Sequence, residues 1–290
     1  MAKVVVQQNQ SCLGLIAGDG QLPFEVARAA ANAGHRVCAI GYPGITDPEL
    51  ENAVDAFHWL SLGQLEMLLA TFSAANVQDA VMAGKVSKEH LYGDISALRP
   101  DPRALALMSK VADLRDDSIL DAIASVLSSE GVRLLPQIEF CPDLLAKPGV
   151  VGNVEPTAAQ LADMAFGWPI AKSIAGLDLG QSVIVESKAV LAVEAIEGTD
   201  AAVVRGGQLG RGGACLVKVA KPSQDLRFDL PTIGPGTLRA MLEGGVAALA
   251  FEAECTIILC REELLLLADA NGVPVVAMGP SGPDRNTIHS

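Results

Sequence analysis

Aromatic residues are scarce in this 290-residue chain. Two Trp, two Tyr and seven Phe make up 4% of it, although half of all residues are hydrophobic. Any core must therefore be built mainly from Ala, Val, Leu and Ile. Basic residues are also in short supply: 21 Lys plus Arg face 34 Asp plus Glu, a formal charge of −13. A nucleic-acid groove needs a basic field to displace counterions, so that partner class is excluded. The same balance argues against general adhesion to an anionic membrane and leaves only a local basic patch for the purpose. No apolar run approaches the roughly 20 residues that span a bilayer. Residues 1–11 break their apolar stretch after three valines and offer no cleavage-like site, which makes a poor signal peptide.

Histidine and cysteine chemistry is equally thin. His35, His58, His90 and His289 are scattered, with no zinc-ligand spacing among them. Cys12, Cys38, Cys141, Cys215, Cys255 and Cys260 form no C-x-x-C pair and mostly lie inside apolar runs. They read as small buried hydrophobes of a reducing compartment, hence a cytoplasmic protein. No paired Ser or Cys motif supports a nucleophilic triad. Water activated by a metal or a carboxylate is the more economical nucleophile.

What is present is a length for two domains and a clear α/β alternation. A short apolar run at 12–17 ends in Gly18-Asp19-Gly20; a helix is expected over 23–33, with Pro at its start and Gly34 after it. Strands are expected at 36–40, 80–83 and 132–138, and helices at 61–76, 102–114 and 117–130. This order implies a Rossmann-like parallel sheet with helices on both faces, over residues 1–147. A linker is expected near 147–152. The second domain, 148–290, is expected to be mixed α/β: a helix over 157–175, a hairpin from 182–186 and 189–196, and a strand at 215–220. Strand, helix and strand then follow at 257–260, 262–270 and 273–278, before a polar tail.

The charges in the second half are ordered. From 178 to 200 there are five acids and one base; from 205 to 227, five bases and one acid. A hard cation such as Mg²⁺ is held by one or two carboxylates plus substrate phosphates, while Lys and Arg neutralise the remaining oxygens. Glu197-Gly198-Thr199-Asp200 reads as a tight turn into a helix, with Thr199 as its N-cap, able to bind a cation and an anion. Lys218, Lys221 and Arg227 surround Asp225 within ten residues. Solvated strand faces and a surface ion-pair network are the plainer explanations of the same charges. In the first half, Gly14, Gly18 and Gly20 sit between a strand and a helix as in a nucleotide-binding turn. Pro23, however, occupies the third-glycine position of G-x-G-x-x-G, and no acid follows the second strand. Gly84-Lys85 closes the third strand on the expected ligand edge.

Four stretches resemble a known family: residues 13–23 (LGLIAGDGQLP), 176–183 (GLDLGQSV), 190–200 (VLAVEAIEGTD) and 216–234 (LVKVAKPSQDLRFDLPTIG). They are similar to the UDP-2,3-diacylglucosamine pyrophosphatases of the LpxI type, from the Gram-negative lipid A pathway. The chain also lacks the G-D-x-H and G-N-H-[DE] motifs of the metallophosphoesterase analogue. The resemblance implies Mg²⁺-assisted hydrolysis of the pyrophosphate to UMP and 2,3-diacylglucosamine 1-phosphate. It also implies two domains with the lipid-linked nucleotide sugar between them, and transient peripheral contact with the inner membrane. On that basis Glu197, Asp200 and Asp225 are the expected metal ligands and water activators. Lys218, Lys221 and Arg227 are expected at the phosphates, with Gln181 and Thr199 beside them. Gly18, Asp19, Gly20 and Lys85 are expected at the nucleotide end. Two rivals stay open: a non-catalytic nucleotide-lipid binding protein and a nicotinamide-dependent oxidoreductase. A homo-oligomer is compatible with all three.

Overall fold

Strand β1, Cys12–Ala17, is buried at every position but its first. It can be so because it lies at the centre of a parallel sheet covered on both faces, where strands read as continuous apolar runs. In this computed structural model, residues 11–86, 98–109, 116–222 and 224–282 are described. The chain divides into two units, Met1–Cys141 with Leu226–Phe228, and Pro142–Asp225 with Asp229–Ser290.

The first unit runs β1, α1 (Leu22–Asn32), β2 (Arg36–Gly41), β3 (Ala56–Trp59), α2 (Leu65–Ala74) and β4 (Asp79–Ala83). After these come α3 (Pro102–Met108), α4 (Asp116–Ser129) and β5 (Arg133–Leu134). The strand order is β3-β2-β1-β4-β5 and every pairing is parallel. That is the Rossmann-like arrangement expected from the alternation, and its order reverses between β1 and β4. Pro23 lies in the first turn of α1, and Gly34, at φ +88°, follows it. Asp101 caps α3 by accepting from the Ala104 N–H at 2.8 Å. The helix expected over 102–114 extends into residues outside those described. Strand β3 and the 3₁₀ turn Pro48–Ala53 were not anticipated. Phe228 completes this unit's core, and the Leu226 carbonyl accepts from the Gln137 N–H at 2.9 Å.

The second unit comprises β6 (Gly149–Val150), α5 (Ala158–Gly176), β7 (Ser182–Glu186), β8 (Ala189–Val193), α6 (Thr199–Leu209) and β9 (Cys215–Lys218). It continues with β10 (Thr232–Ile233), α7 (Pro235–Gly244), β11 (Ala248–Glu252), β12 (Ile257–Ile258), α8 (Arg261–Ala270) and β13 (Val275–Met278). Its main sheet has the order β6-β13-β11-β9-β7-β8. The central β13, β11 and β9 are parallel, whereas β6 and β7 run against their neighbours. The mixed α/β expectation therefore holds. The stretch read as a linker contains β6, an edge strand of this sheet.

Alternation along the strands sorts the core into two layers. Met164, Trp168 and Ala171 of α5 pack on Val183, Val185, Val217 and Ala250. Ile184, Leu216, Leu249 and Phe251 point the other way, towards α6, α7 and α8. Helix α5 opens with a full capping box between Thr157 and Gln160 and runs through Pro169 as one helix. The β7–β8 hairpin turns through Ser187 and Lys188, at φ +52° and +56°. The buried Asp163 carboxylate accepts both of their N–H groups, at 2.8 and 2.7 Å. An α5 side chain thus anchors a turn that carries no glycine.

Candidate functional site

Open α/β sheets bind ligands outside the carboxyl ends of their strands. At that edge of the second sheet, a polar row crosses three strands. Ser182 of β7 lies opposite Lys218 of β9 in the antiparallel register, and directly opposite residues share a face. Glu194, just past β8, continues the row, its N–H donating to the Ser182 carbonyl at 2.9 Å. Ile184, two residues beyond Ser182, contacts α6 on the same face, so the row lies beneath the start of that helix. Lys218 is 4% exposed, Ser182 0% and Glu194 8%. A charge removed from water to this degree needs a partner. One partner is Thr199, whose hydroxyl accepts from the Lys218 ammonium at 2.8 Å and donates to the Glu194 carboxylate at 2.8 Å. The second carboxylate oxygen of Glu194 accepts the Gln181 N–H at 3.3 Å. Ser182 Oγ and Gln181 Oε1 are buried without a hydrogen-bond partner.

Thr199 therefore does not act as the expected N-cap. Gly198 holds that position at φ +82°, with no side-chain capping bond, and Thr199 is the first residue of α6. A tight approach keeps α6 in place. A Cβ on Gly206 would lie 2.8 Å from the Cβ of Ile184 and 2.9 Å from that of Ala192.

On the opposite face of the same edge, Glu252, 3% exposed, receives both the Lys172 ammonium at 2.6 Å and the Ala220 N–H at 2.7 Å. Lys172 also donates to the Ala220 carbonyl at 3.0 Å. This pair holds the chain where β9 gives way to Lys221. The Lys221 ammonium then meets Asp178 at 2.8 Å and Asp229 at 3.2 Å. Asp225 is half-buried in the loop that follows.

The expected carboxylates do not form a ready-made cage. Among the described residues, no three His, Cys, Asp or Glu side chains gather at metal-ligand spacing. Glu197 is exposed and paired with Arg205, which also donates to the Val193 carbonyl. Its own backbone N–H and the Arg205 guanidinium hold its carboxyl below the usual range. Asp200 lies in the exposed first turn of α6, beside a shallow groove between α6 and α7 lined also by Gln208 and Arg239. Arg227 belongs to the first unit, where it pairs with Asp121 at 2.9 Å and lies 5.3 Å from the Phe228 ring centroid.

In the first unit, the glycine turn and Lys85 meet at the switch point. Asp19 and Lys85 exchange backbone hydrogen bonds of 2.8 and 3.0 Å, and the Gly18 N–H donates to the Ala83 carbonyl at 2.7 Å. A Cβ on Gly18 would come within 2.7 Å of the Lys85 carbonyl oxygen. The glycine thus permits the two strand-end loops to touch. Asp19, Gly20 and Lys85 are exposed at this rim.

Sequence reasoning singled out Lys218, Thr199 and Lys221 but did not assign the groups that hold them, Glu194, Asp178 and Asp229, nor the Lys172–Glu252 pair that fixes Ala220 beside them. The period-2 pattern puts Glu194 and Ile196 on one strand face; β8 ends at Val193, and of the two only Glu194 is buried. Nothing local marks Lys172 or Glu252 as partners, since 80 residues separate them.

Three thiols are held protonated by burial. Burial pushes Cys38 and Cys141 up to about 11 and Cys215 up to about 12. No helix among the described residues is long and apolar enough to cross a membrane.

Comparison with known proteins covers both units. Residues 12–144 match the LpxI N-terminal domain and residues 147–276 the LpxI C-terminal domain. A Caulobacter vibrioides protein, UDP-2,3-diacylglucosamine pyrophosphatase LpxI, is 33% identical over 279 residues, covering 92% of this chain and 98% of that one. Among solved structures, the Bordetella bronchiseptica enzyme WbmG in complex with NAD is 18% identical over 44% of this chain and 37% of its own, with a TM-score of 0.28. A biotin carboxylase domain of a single-chain bacterial carboxylase is 16% identical over 64% and 38%, with a TM-score of 0.22. Both likenesses are too slight to bear on function. With family matches to both halves and a relative aligned over nearly its whole length, this chain belongs to the LpxI family.

Proposed function

We propose that the protein hydrolyses the pyrophosphate bond of UDP-2,3-diacylglucosamine, releasing UMP and 2,3-diacylglucosamine 1-phosphate for lipid A biosynthesis. The observation that carries this reading is the end-to-end match to a relative of that name, 33% identical over 92% of the chain. The buried Lys218 and the ion-paired Lys221, both at the carboxyl edge of one sheet, are the cations such a substrate's phosphates require. A diacylated substrate resides in a bilayer, so the enzyme works from the cytoplasm in transient contact with the inner membrane.

Mg²⁺ is the proposed cofactor. The available donors are hard carboxylate oxygens, and such a site uses one or two of them together with substrate phosphates. Asp225, with Asp200 or Glu197, would hold the ion, which neutralises developing charge on the phosphate oxygens when bound. Lys218 and Lys221 orient the pyrophosphate, and an ionised carboxylate in the 225 loop receives the proton of the attacking water.

Steady-state kinetics of two variants test this assignment. Asp225→Asn should keep the fold and substrate affinity while losing most turnover. Lys221→Ala should raise KM as well. EDTA should abolish activity, and Mg²⁺ or Mn²⁺ should restore it. Parental turnover by Asp225→Asn, or by chelated protein, would place the chemistry elsewhere.

A further inference from the structure

We infer that Glu194 is a positioning residue of the phosphate site: through the Thr199 hydroxyl it fixes the Lys218 ammonium that receives a phosphate of the nucleoside diphosphate. The inference deepens the proposed pyrophosphatase reading and rests on it.

The argument begins with the direction of the hydrogen bonds. A threonine hydroxyl has one proton and two lone pairs. Here the proton goes to Glu194 and one lone pair takes a Lys218 proton, both at 2.8 Å. The donation to Glu194 fixes the rotor, and a fixed rotor aims the lone pair at Lys218. Glu194 is itself immobile: its N–H is tied to Ser182, one carboxylate oxygen accepts from Thr199 and the other from Gln181. The charge arithmetic agrees. Lys218 and Glu194 are both more than nine-tenths buried, and the hydroxyl between them relays the attraction of one for the other.

The Ser182 hydroxyl is the second observation. It sits between Lys218 and Glu194 in the cross-strand row, is fully buried, and has no partner. The neighbouring positions on this face, Ile184 and Ala192, are apolar. An unsatisfied buried hydroxyl costs about 1–3 kcal/mol, so one set in a row with two buried charges calls for an explanation. An ammonium has three protons, so Lys218 can keep its bond to Thr199 while it donates to a phosphate, and the Ser182 hydroxyl opposite it is a further donor for the same ligand.

Glu194→Gln, Thr199→Val, their double mutant and Thr199→Ser test the inference. Calorimetry with UDP and with inorganic pyrophosphate, in Mg²⁺ buffer, reads binding, and melting curves read the fold. Glu194→Gln and Thr199→Val should each weaken binding by about tenfold or more, the double mutant no further, and Thr199→Ser by less than about threefold. Additive losses, or a Thr199→Ser as impaired as Thr199→Val, would overturn the relay. So would parental affinity in a folded Glu194→Gln or Thr199→Val, or failure of the parent to bind either probe. If Glu194→Gln does not fold, the Thr199→Val and Thr199→Ser pair decides alone. UDP binding that follows this pattern, with no UMP released from the diacylated substrate, would sustain the relay and overturn the pyrophosphatase reading instead.

Discussion

Replacing Lys172 by Met retains most of the side chain's length and apolar stem and removes only the ammonium. Among the described residues, the Glu252 carboxylate, 3% exposed, then retains only the Ala220 N–H as a hydrogen-bond donor. Removing one partner of a buried ion pair costs about 3–5 kcal/mol, because the other charge is left uncompensated. The Lys172 side chain is 24% exposed, so the pair is not fully dry and the lower end of that range, about 3 kcal/mol, applies. In a unit of this size, such a loss lowers the melting temperature by about 10 °C. Adding Glu252→Gln removes the stranded charge but keeps an oxygen for the Ala220 N–H. The double mutant should therefore recover about 2 kcal/mol relative to Lys172→Met. Urea denaturation followed by circular dichroism measures all three variants. A double mutant no more stable than Lys172→Met would refute the reasoning, since the cost would then not lie in an unpaired buried carboxylate.

Three further outcomes are expected. Thr256 is fully buried with an unpartnered hydroxyl; Thr256→Val keeps the shape, removes the orphan, and should stabilise the protein by about 1 kcal/mol in the same denaturation assay. Gly206→Ala gains roughly 0.5–1 kcal/mol of helix propensity, but its Cβ would press on Ile184 and Ala192. Overpacking of about 1–3 kcal/mol should win, with turnover falling as Thr199 shifts. The thiols of Cys38, Cys141 and Cys215 ionise only near 11 to 12 when folded. Their contribution to stability is complete below the unfolded thiol value near 9 and declines from there to about 12. Native protein at pH 8 should accordingly leave these three thiols unlabelled by iodoacetamide, while urea exposes them.

The parts of the fold legible in the sequence are those whose burial is announced by local pattern. β1 and β2 are continuous apolar runs closed by Gly, and α5 opens with a capping box and carries a long apolar pattern. β11 was missed although it lies inside the sheet between β13 and β9. Its residues, ALAFE, are Ala-rich and have low intrinsic β propensity, so only tertiary burial makes them a strand. α7 was missed because its Pro- and Gly-rich start and its Gly244-Gly245 end read as loop. In the structure those residues are its first turn and its left-handed C-cap. At the site, charge clustering located Lys218 and Lys221, but a run of charges does not say which acid each one meets: Lys221 pairs with Asp178 and Asp229, and Lys218 reaches Glu194 through an uncharged hydroxyl. Thr199 looked like a cap because Ser, Thr and Asp before a helix usually are. Gly198 takes the cap instead, and that frees the hydroxyl for Glu194.

The central claim is cleavage of one phosphoanhydride bond. Its most direct test is incubation of the purified protein with UDP-2,3-diacylglucosamine carrying ³²P in the phosphate attached to the sugar, in Mg²⁺-containing detergent micelles. The account predicts that all label leaves in 2,3-diacylglucosamine 1-phosphate, with an equal amount of unlabelled UMP, and that EDTA stops the reaction. Substrate recovered intact at stoichiometric enzyme, or label released with the nucleotide, would contradict it.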